Sequence, residues 1–300
     1  MDFLSVTDLG AAGLADVLAT AAAVKADPGQ AAGRLAGRKV GLFFEKPSTR
    51  TRVSCEVACA DVGAVPLVLK QDEVGLGKRE SVADVARTLD RYLDVLAFRV
   101  FRHGDLVTIA AHASAPVINL LSDLEHPCQA LADLQTLAEA RPLAGASVAF
   151  VGDGNNVCQS LLLAGAMTGV SVRVASPPGY EPPPGVVARA AALAAPGAAV
   201  EVGNDAEAAV RGVDAVYTDV WASMGQEAEA AERRRLFEPF RVDERLFALA
   251  GPRAIFLHCL PAHRGDEVTD GVADHERSRI FDQAENRMHA FKALLLHVAG

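Results

Sequence analysis

The sequence predicts an α/β protein built from two open parallel-sheet domains, and three observations carry that reading. Short apolar runs alternate with amphipathic stretches of about ten residues or more, the pattern of β-α-β units. The pattern pauses at "ARPLAGA" (140–146), where Pro142 and Gly145 break any regular element, and then restarts. A long amphipathic stretch, 283–298, follows the second series. The expected divisions are residues 1–140, 146–282 and a C-terminal helix, 283–300.

In the first division the expected strands are 39–44, 65–69, 94–98 and 116–120, and the expected helices are 50–62, 81–92, 104–112 and 127–139. In the second, strands are expected at 147–151, 171–175, 199–202, 215–218 and 254–258, with helices at 155–168, 185–194, 205–211 and 243–250. The proline-rich "SPPGYEPPPG" (176–185) reads as a stiff loop. Open α/β sheets bind ligands beyond the C-terminal ends of their strands, so the expected site is the cleft between two such domains.

Composition narrows the function. Half of the 300 residues are hydrophobic, ample for packed cores. A net charge of −9 argues against a nucleic-acid or anionic-membrane surface, but not against a small anion held by local donors. Charges, Gly or Pro interrupt every apolar run before it reaches a membrane span. The start, "MDFLSVTDLG", lacks the basic region of a signal peptide, so a cytoplasmic chain is expected. Cys55, Cys59, Cys128, Cys158 and Cys259 are scattered and odd in number, which supports neither a disulfide framework nor a zinc site; no metal or cofactor is expected.

Six stretches at strand ends carry chemistry. In "KPSTRTR" (46–52), Ser48 or Thr49 can cap the helix that follows, and the free N–H groups of its first turn, the hydroxyls of Ser48, Thr49 and Thr51 and the Arg50 fork form a cradle for a phosphate-like oxyanion. Arg99 directly follows an expected strand and points to the same place; a salt bridge at a strand end is the equal alternative. In "EHPCQALADL" (125–134), Pro127 suits a first helical position, and His126 and Gln129, three apart, share one face from which both can donate to a carbonyl oxygen or its neighbouring nitrogen. "FVGDGNNVCQS" (150–160) is strand, glycine-rich turn and helix, but Val157 stands where a dinucleotide site needs its third glycine, and the acidic ribose partner is missing. Asn155 and Asn156 there can instead hold a carboxylate or an amine. In "YTDVWASMGQE" (217–227), Asp219 lies past a strand with Ser223 and Met224 in a loop, a fit for a cationic amine; a capped loop over buried Trp221 is the alternative. In "FLHCLPAHRG" (256–265), Cys259 either packs as a small apolar side chain or lines the site; no partner is placed to make it a nucleophile.

Together these stretches resemble the aspartate/ornithine carbamoyltransferase superfamily over nearly all of the chain, most closely its ornithine branch. "STRT" (48–51) and "HPCQ" (126–129) resemble the signatures shared across the superfamily, while "DVWASMG" (219–225), "HCLP" (258–261) and "AENRMHA" (284–290) resemble those of the ornithine branch. The resemblance implies that Ser48, Thr49, Arg50 and Thr51 hold the phosphate of carbamoyl phosphate, and that Arg99, His126 and Gln129 hold its carbamoyl end and phosphate. It implies that Asn156, Asp219, Ser223 and Met224 grip the α-amino and α-carboxylate groups of L-ornithine, with Cys259 and the Leu260 backbone beside the reacting δ-amine. It implies that the last helix returns to the first domain and brings Arg287 to the carbamoyl phosphate, and that the chain forms a homotrimer. One departure stands out. In "DEVGLGKRES" (72–81), Gly75 replaces a glutamine that in many relatives reaches a neighbouring subunit, leaving Lys78 as a candidate substitute. Cys55 also stands where an aromatic residue is common.

The implied reaction is attack of the δ-amine on the carbamoyl carbon, giving citrulline and phosphate. Neutralising an alkyl amine at pH 7 costs about 4.6 kcal/mol, which desolvation and nearby positive charge lower. Bound phosphate can accept the departing proton. Arg99, His126 and Thr51 are the expected oxyanion donors, and the Met224 loop with the stretch after it is expected to form a lid. The rival readings are the same chemistry on putrescine, N-acetylornithine or aspartate, a nucleotide-binding dehydrogenase, and a non-catalytic sensor.

Overall fold

The computed structural model describes residues 1–222 and 229–300. The chain divides into two units: Met1–Gln135 with Glu285–Gly300, and Thr136–Ala284. The division falls inside the helix Pro127–Ala140, just ahead of the 140–146 stretch, and most of the last helix, Ile280–Ala299, belongs to the first unit.

The first unit holds a parallel sheet of β1 (Lys39–Phe44), β2 (Val65–Lys70), β3 (Val95–Arg99) and β4 (Val117–Leu121), ordered β2-β1-β3-β4. The all-apolar "VLAF" run of β3 is buried on both faces, as a central parallel strand must be. Pro66 sits in β2 because that strand is an edge, where a missing N–H is tolerated. Phe43 and Phe98 meet at 5.1 Å over the core they share with Leu96, Leu106, Ile109 and Val117. Successive strands leave β1 in opposite directions, so the order reverses between β1 and β3. In open α/β sheets such a reversal is where ligands bind, beyond the strand ends.

The second unit repeats the logic with β5 (Ser147–Val151), β6 (Ser171–Ala175), β7 (Val200–Gly203), β8 (Ala215–Thr218) and β9 (Ile255–His258), all parallel and ordered β7-β6-β5-β8-β9. Its reversal lies between β5 and β8. The strands follow the sequence expectation to within one residue at each end.

The helix Gly10–Ala26 was not expected from the sequence. Its buried stripe, Leu14, Val17, Ala21 and Val24, keeps helical spacing, but alanines surround it and blur the contrast between faces. This segment also corrects the statement that no apolar run reaches span length: Val6–Ala26 is long and apolar enough by length and composition. The reason is the same alanine content. A third of its apolar window is buried, and Lys25 Nζ donates to Asn286 Oδ1 of the last helix at 2.8 Å, the behaviour of a helix packed on a domain.

The last helix is fixed to the first unit by polar bonds inside an apolar contact. Phe291, Leu294 and Leu295 are buried, and Lys292, 1% exposed, bonds Asp61 at 2.5 Å.

The glycine-rich turn after β5 has a packing explanation. Gly152 has φ +137°, a backbone state that side chains avoid. Gly154 donates to Tyr180 O at 2.8 Å, and a Cβ there would collide with the backbone of Glu181 and Pro182. Gly154→Ala is therefore expected to cost roughly 1–3 kcal/mol or more by forced overpacking. Chemical denaturation should show it, and an unchanged midpoint would contradict the packing account.

Candidate active site

The first half of the site grows from the ends of β1 and β3. Ser48 has extended backbone and caps the helix Thr49–Asp61, its Oγ accepting from Thr51 N at 3.4 Å. The Ser48 hydroxyl also donates to Thr51 Oγ1 at 3.0 Å. Thr51 is fully buried and accepts a second bond, from Arg287 Nη2 at 2.9 Å, across 236 residues of chain. Thr49 is exposed and Arg50 half-buried, on the outer side of this turn.

Arg99 is the last residue of β3 rather than the residue after it, and it pairs in register with Phe44 of β1. That places a buried guanidinium one strand from the Ser48 turn. His126, also buried, immediately precedes the helix Pro127–Ala140. Burial holds its imidazole well below the ordinary histidine range, and the charges of Arg287 and Arg99 push it further the same way. The structure thus gathers Thr51, Arg99, His126 and Arg287, with a neutral histidine among two cations. Arg287 also acts on the buried thiols of Cys55 and Cys128; burial pushes both up, Cys128 to about 12, so neither is a thiolate.

Gln129 is fully buried, and its amide nitrogen donates to Asp133 Oδ1 at 2.8 Å. Its carbonyl oxygen has no hydrogen bond among the described residues. The sequence reading made this amide a donor; the geometry favours its oxygen as an acceptor for a ligand N–H. Beside the cradle lies an open cleft of about 870 Å³, lined by Ser48, Thr49, Arg52, Lys70 and Lys78 among others. The sequence reading assigned no role to Arg52, which sits among the crowded residues at the strand end, and did not name Lys70. Arg52 was hidden because it bonds Glu56 one turn on, at 3.2 Å, as an ordinary surface pair does.

The second half grows from the ends of β5, β8 and β9. Asp219, 6% exposed, follows β8. Its Oδ2 accepts from Asn155 Nδ2 at 2.8 Å and its Oδ1 from Cys259 Sγ at 2.9 Å. Cys259 therefore carries its proton and is no nucleophile in this arrangement. Asn155 caps the helix Asn156–Thr168 with its Oδ1, taking Val157 N and Cys158 N. Asn155 thus both caps this helix and holds Asp219. Asn156 is the first helical residue and half-buried.

The Cys259 loop has its own support. Leu260 adopts φ +58°, a strained state for a side chain, costing on the order of 1–3 kcal/mol. Its N–H donates to His258 Nδ1 at 2.9 Å, so the imidazole proton sits on Nε2 and bonds Glu267 Oε1 at 3.1 Å. Both nitrogens of the fully buried His258 are thereby engaged. Asp219, His258 and Cys259 have donor atoms within 4.8 Å of one another, but that engagement argues against reading them as a metal site. The pairing of His258 with Glu267 carries no local signal in sequence beyond two titratable residues nine apart. Ser223 and Met224, with the loop around them, lie outside the described residues.

His126 yields a pH prediction. Below about pH 6.5, the unfolded histidine value, the unfolded chain takes up a proton that the folded site resists. Stability from this residue is therefore present above that pH and is lost as pH falls, with a slope approaching ~1.4 kcal/mol per pH unit. Urea unfolding between pH 5.5 and 7.5 should show a shallower pH dependence for His126→Gln than for the parent. Equal slopes would contradict a neutral buried imidazole.

Comparison with known proteins agrees with this division of labour. Residues 1–139 match the family model described as "Aspartate/ornithine carbamoyltransferase, carbamoyl-P binding domain", and residues 144–298 match the "Asp/Orn binding domain" of the same family. The ornithine carbamoyltransferase of Acidothermus cellulolyticus is 54% identical over 297 residues, covering 98% of this chain and 95% of that protein. The solved structure of ornithine carbamoyltransferase from Pyrococcus furiosus superposes with a TM-score of 0.96 at 48% identity, over 100% of this chain and 97% of that one. An acetylornithine transcarbamylase complexed with acetylcitrulline superposes at 0.89 with 31% identity, over 100% and 99%. With both family models matched end to end along the sequence, the chain belongs to the aspartate/ornithine carbamoyltransferase family.

Proposed function

We propose that the protein is an ornithine carbamoyltransferase, moving the carbamoyl group of carbamoyl phosphate to the δ-amine of L-ornithine and releasing L-citrulline and phosphate. The observation that carries the choice of acceptor is Asp219: a buried carboxylate, held by an amide and a thiol, that suits a cationic amine. An acetylated α-amine would gain nothing from it.

In this reading the phosphate dianion lies at the first turn of the helix Thr49–Asp61. There the Ser48, Thr49 and Thr51 hydroxyls, first-turn N–H groups and Arg50 surround it. Arg99 and Arg287 add positive charge, and Gln129 Oε1 accepts from the carbamoyl nitrogen. The neutral His126 offers an N–H to the carbamoyl oxygen without adding a third cation, which fits a group on which negative charge grows as the amine attacks. On the acceptor side Asp219 takes the α-amine, Asn156, Ser223 and Met224 complete the grip on the amino-acid end, and Cys259 with the Leu260 backbone lines the path of the δ-amine. The thiol is neutral, so it disfavours an incoming ammonium less than an apolar wall and stabilises it less than a carboxylate would. The leaving phosphate takes the amine proton; no side-chain base is required.

The proposed assembly is a homotrimer. Val53 and Val57 of the cradle helix and Val65 and Leu67 of β2 are exposed large apolar side chains, which supports contact with a second copy. A monomer by light scattering would count against it.

Carbamoyl phosphate offered with L-ornithine, putrescine, N-acetyl-L-ornithine and L-aspartate in parallel tests the reading. Turnover with ornithine alone is expected; preference for another amine would discard the role given to Asp219. Arg50→Ala is expected to lower kcat/KM by roughly 100-fold or more, as loss of a transition-state donor does, and normal kinetics would reject the cradle.

A further inference from the structure

Arg233 lies in the stretch expected to form a lid and was given no role of its own, yet its side chain makes several polar bonds in the second unit. It lies on the helix Ala230–Phe237 and is 6% exposed. Its Nη1 donates to Asp153 Oδ2 at 2.8 Å and to Trp221 O at 2.9 Å, and its Nε donates to Glu229 Oε2 at 3.1 Å. Its guanidinium also sits over the Tyr180 ring, 4.9 Å from the centroid.

The groups it grips are the neighbours of the acceptor carboxylate. Trp221 is two residues past Asp219. Asp153 is two residues before Asn155, whose amide holds Asp219 Oδ2 at 2.8 Å. One planar cation thus ties together the two backbone segments whose side chains make the Asn155–Asp219 bond.

We propose that Arg233 is a positioning residue for the acceptor half of the site, fixing Asp219 against Asn155 through the Trp221 carbonyl and the Asp153 turn. The inference rests on Asp219 binding the ornithine α-amine. Only arginine has a rigid fork that can reach a carboxylate and a carbonyl while a second edge bonds another carboxylate; a lysine is a single point charge on a flexible stem. The guanidinium also offsets a second charge. Burial pushes the Asp153 carboxyl above its usual range, Arg233 pulls it back, and Asp219 adds to the upward push, so the two carboxylates feel each other. Without Arg233 the acceptor pocket would hold a second, uncompensated carboxylate near the first.

The test compares Arg233→Met, Arg233→Lys and the double variant Arg233→Met/Asp153→Asn with the parent protein. The readouts are KM for each substrate and calorimetric binding of L-norvaline, an ornithine lacking the δ-amine, in the presence of carbamoyl phosphate. KM for ornithine and Kd for norvaline should both rise at least about tenfold in Arg233→Met, with KM for carbamoyl phosphate within about twofold of the parent. Arg233→Lys keeps the charge and guards against a variant that does not fold; it should show the same split, less severely. The double variant removes the stray carboxylate but not the lost hold on Trp221, so it should recover only part of the affinity. Ornithine and norvaline affinities within twofold of the parent in folded variants would overturn the inference, as would KM values for both substrates moving together. A parent protein that neither turns over ornithine nor binds norvaline would instead overturn the functional reading, and this inference with it.

Discussion

The buried bond between Arg287 and Thr51 is the constraint on which the proposed carbamoyl-phosphate half of the site depends. It joins the chain's last helix to the first turn of the helix after β1, and its partner is a hydroxyl rather than a carboxylate. A guanidinium 7% exposed to water and bonded to a neutral group is costly to hold in place. The structure meets that cost with scaffold: Lys292 with Asp61, Lys25 with Asn286, and the apolar side chains between them fix the helix that carries it. The effect is visible on its neighbours. Burial, with the charges of Arg287 and Arg99, holds His126 neutral, so a region of two cations also keeps one uncharged imidazole.

The acceptor half is organised around a charge of the opposite sign. Asp219 is buried, and each of its oxygens receives one bond, from Asn155 and from Cys259, which leaves further acceptor capacity on both. Three strand ends supply these residues, and the strained Leu260 is held by a histidine whose tautomer is fixed by Glu267. Both units contain a parallel sheet whose strand order reverses, with the Ser48–Thr51 turn beyond β1 in one and the Asp219 carboxylate beyond β8 in the other.

Much of this was legible in the sequence because the signals were local. The strands are β-branched or aromatic runs bounded by turn residues, and Ser48, His126 and Cys259 sit one to three residues from the end or start of an element. What stayed hidden was non-local or low in contrast. The helix Gly10–Ala26 blends its buried stripe into alanines. The role of Asn155 depends on a partner 64 residues away, and that of Arg233 on one 80 residues away. Gly154 sits in a turn that lacks the dinucleotide spacing, and its packing role was hidden because its neighbour in space is the backbone of the proline-rich segment.

The most direct test of the account is the affinity for carbamoyl phosphate, measured by calorimetry on the parent protein and on Arg287→Gln, with circular dichroism to verify the fold. The side chain removed is the one that brings buried positive charge to the Ser48–Thr51 turn from the other end of the chain. The expected result is a folded variant whose affinity falls by about 100-fold, the scale of losing a buried, charge-assisted contact of roughly 3 kcal/mol. An affinity unchanged from the parent would show that the anion is bound elsewhere and would contradict the site described here.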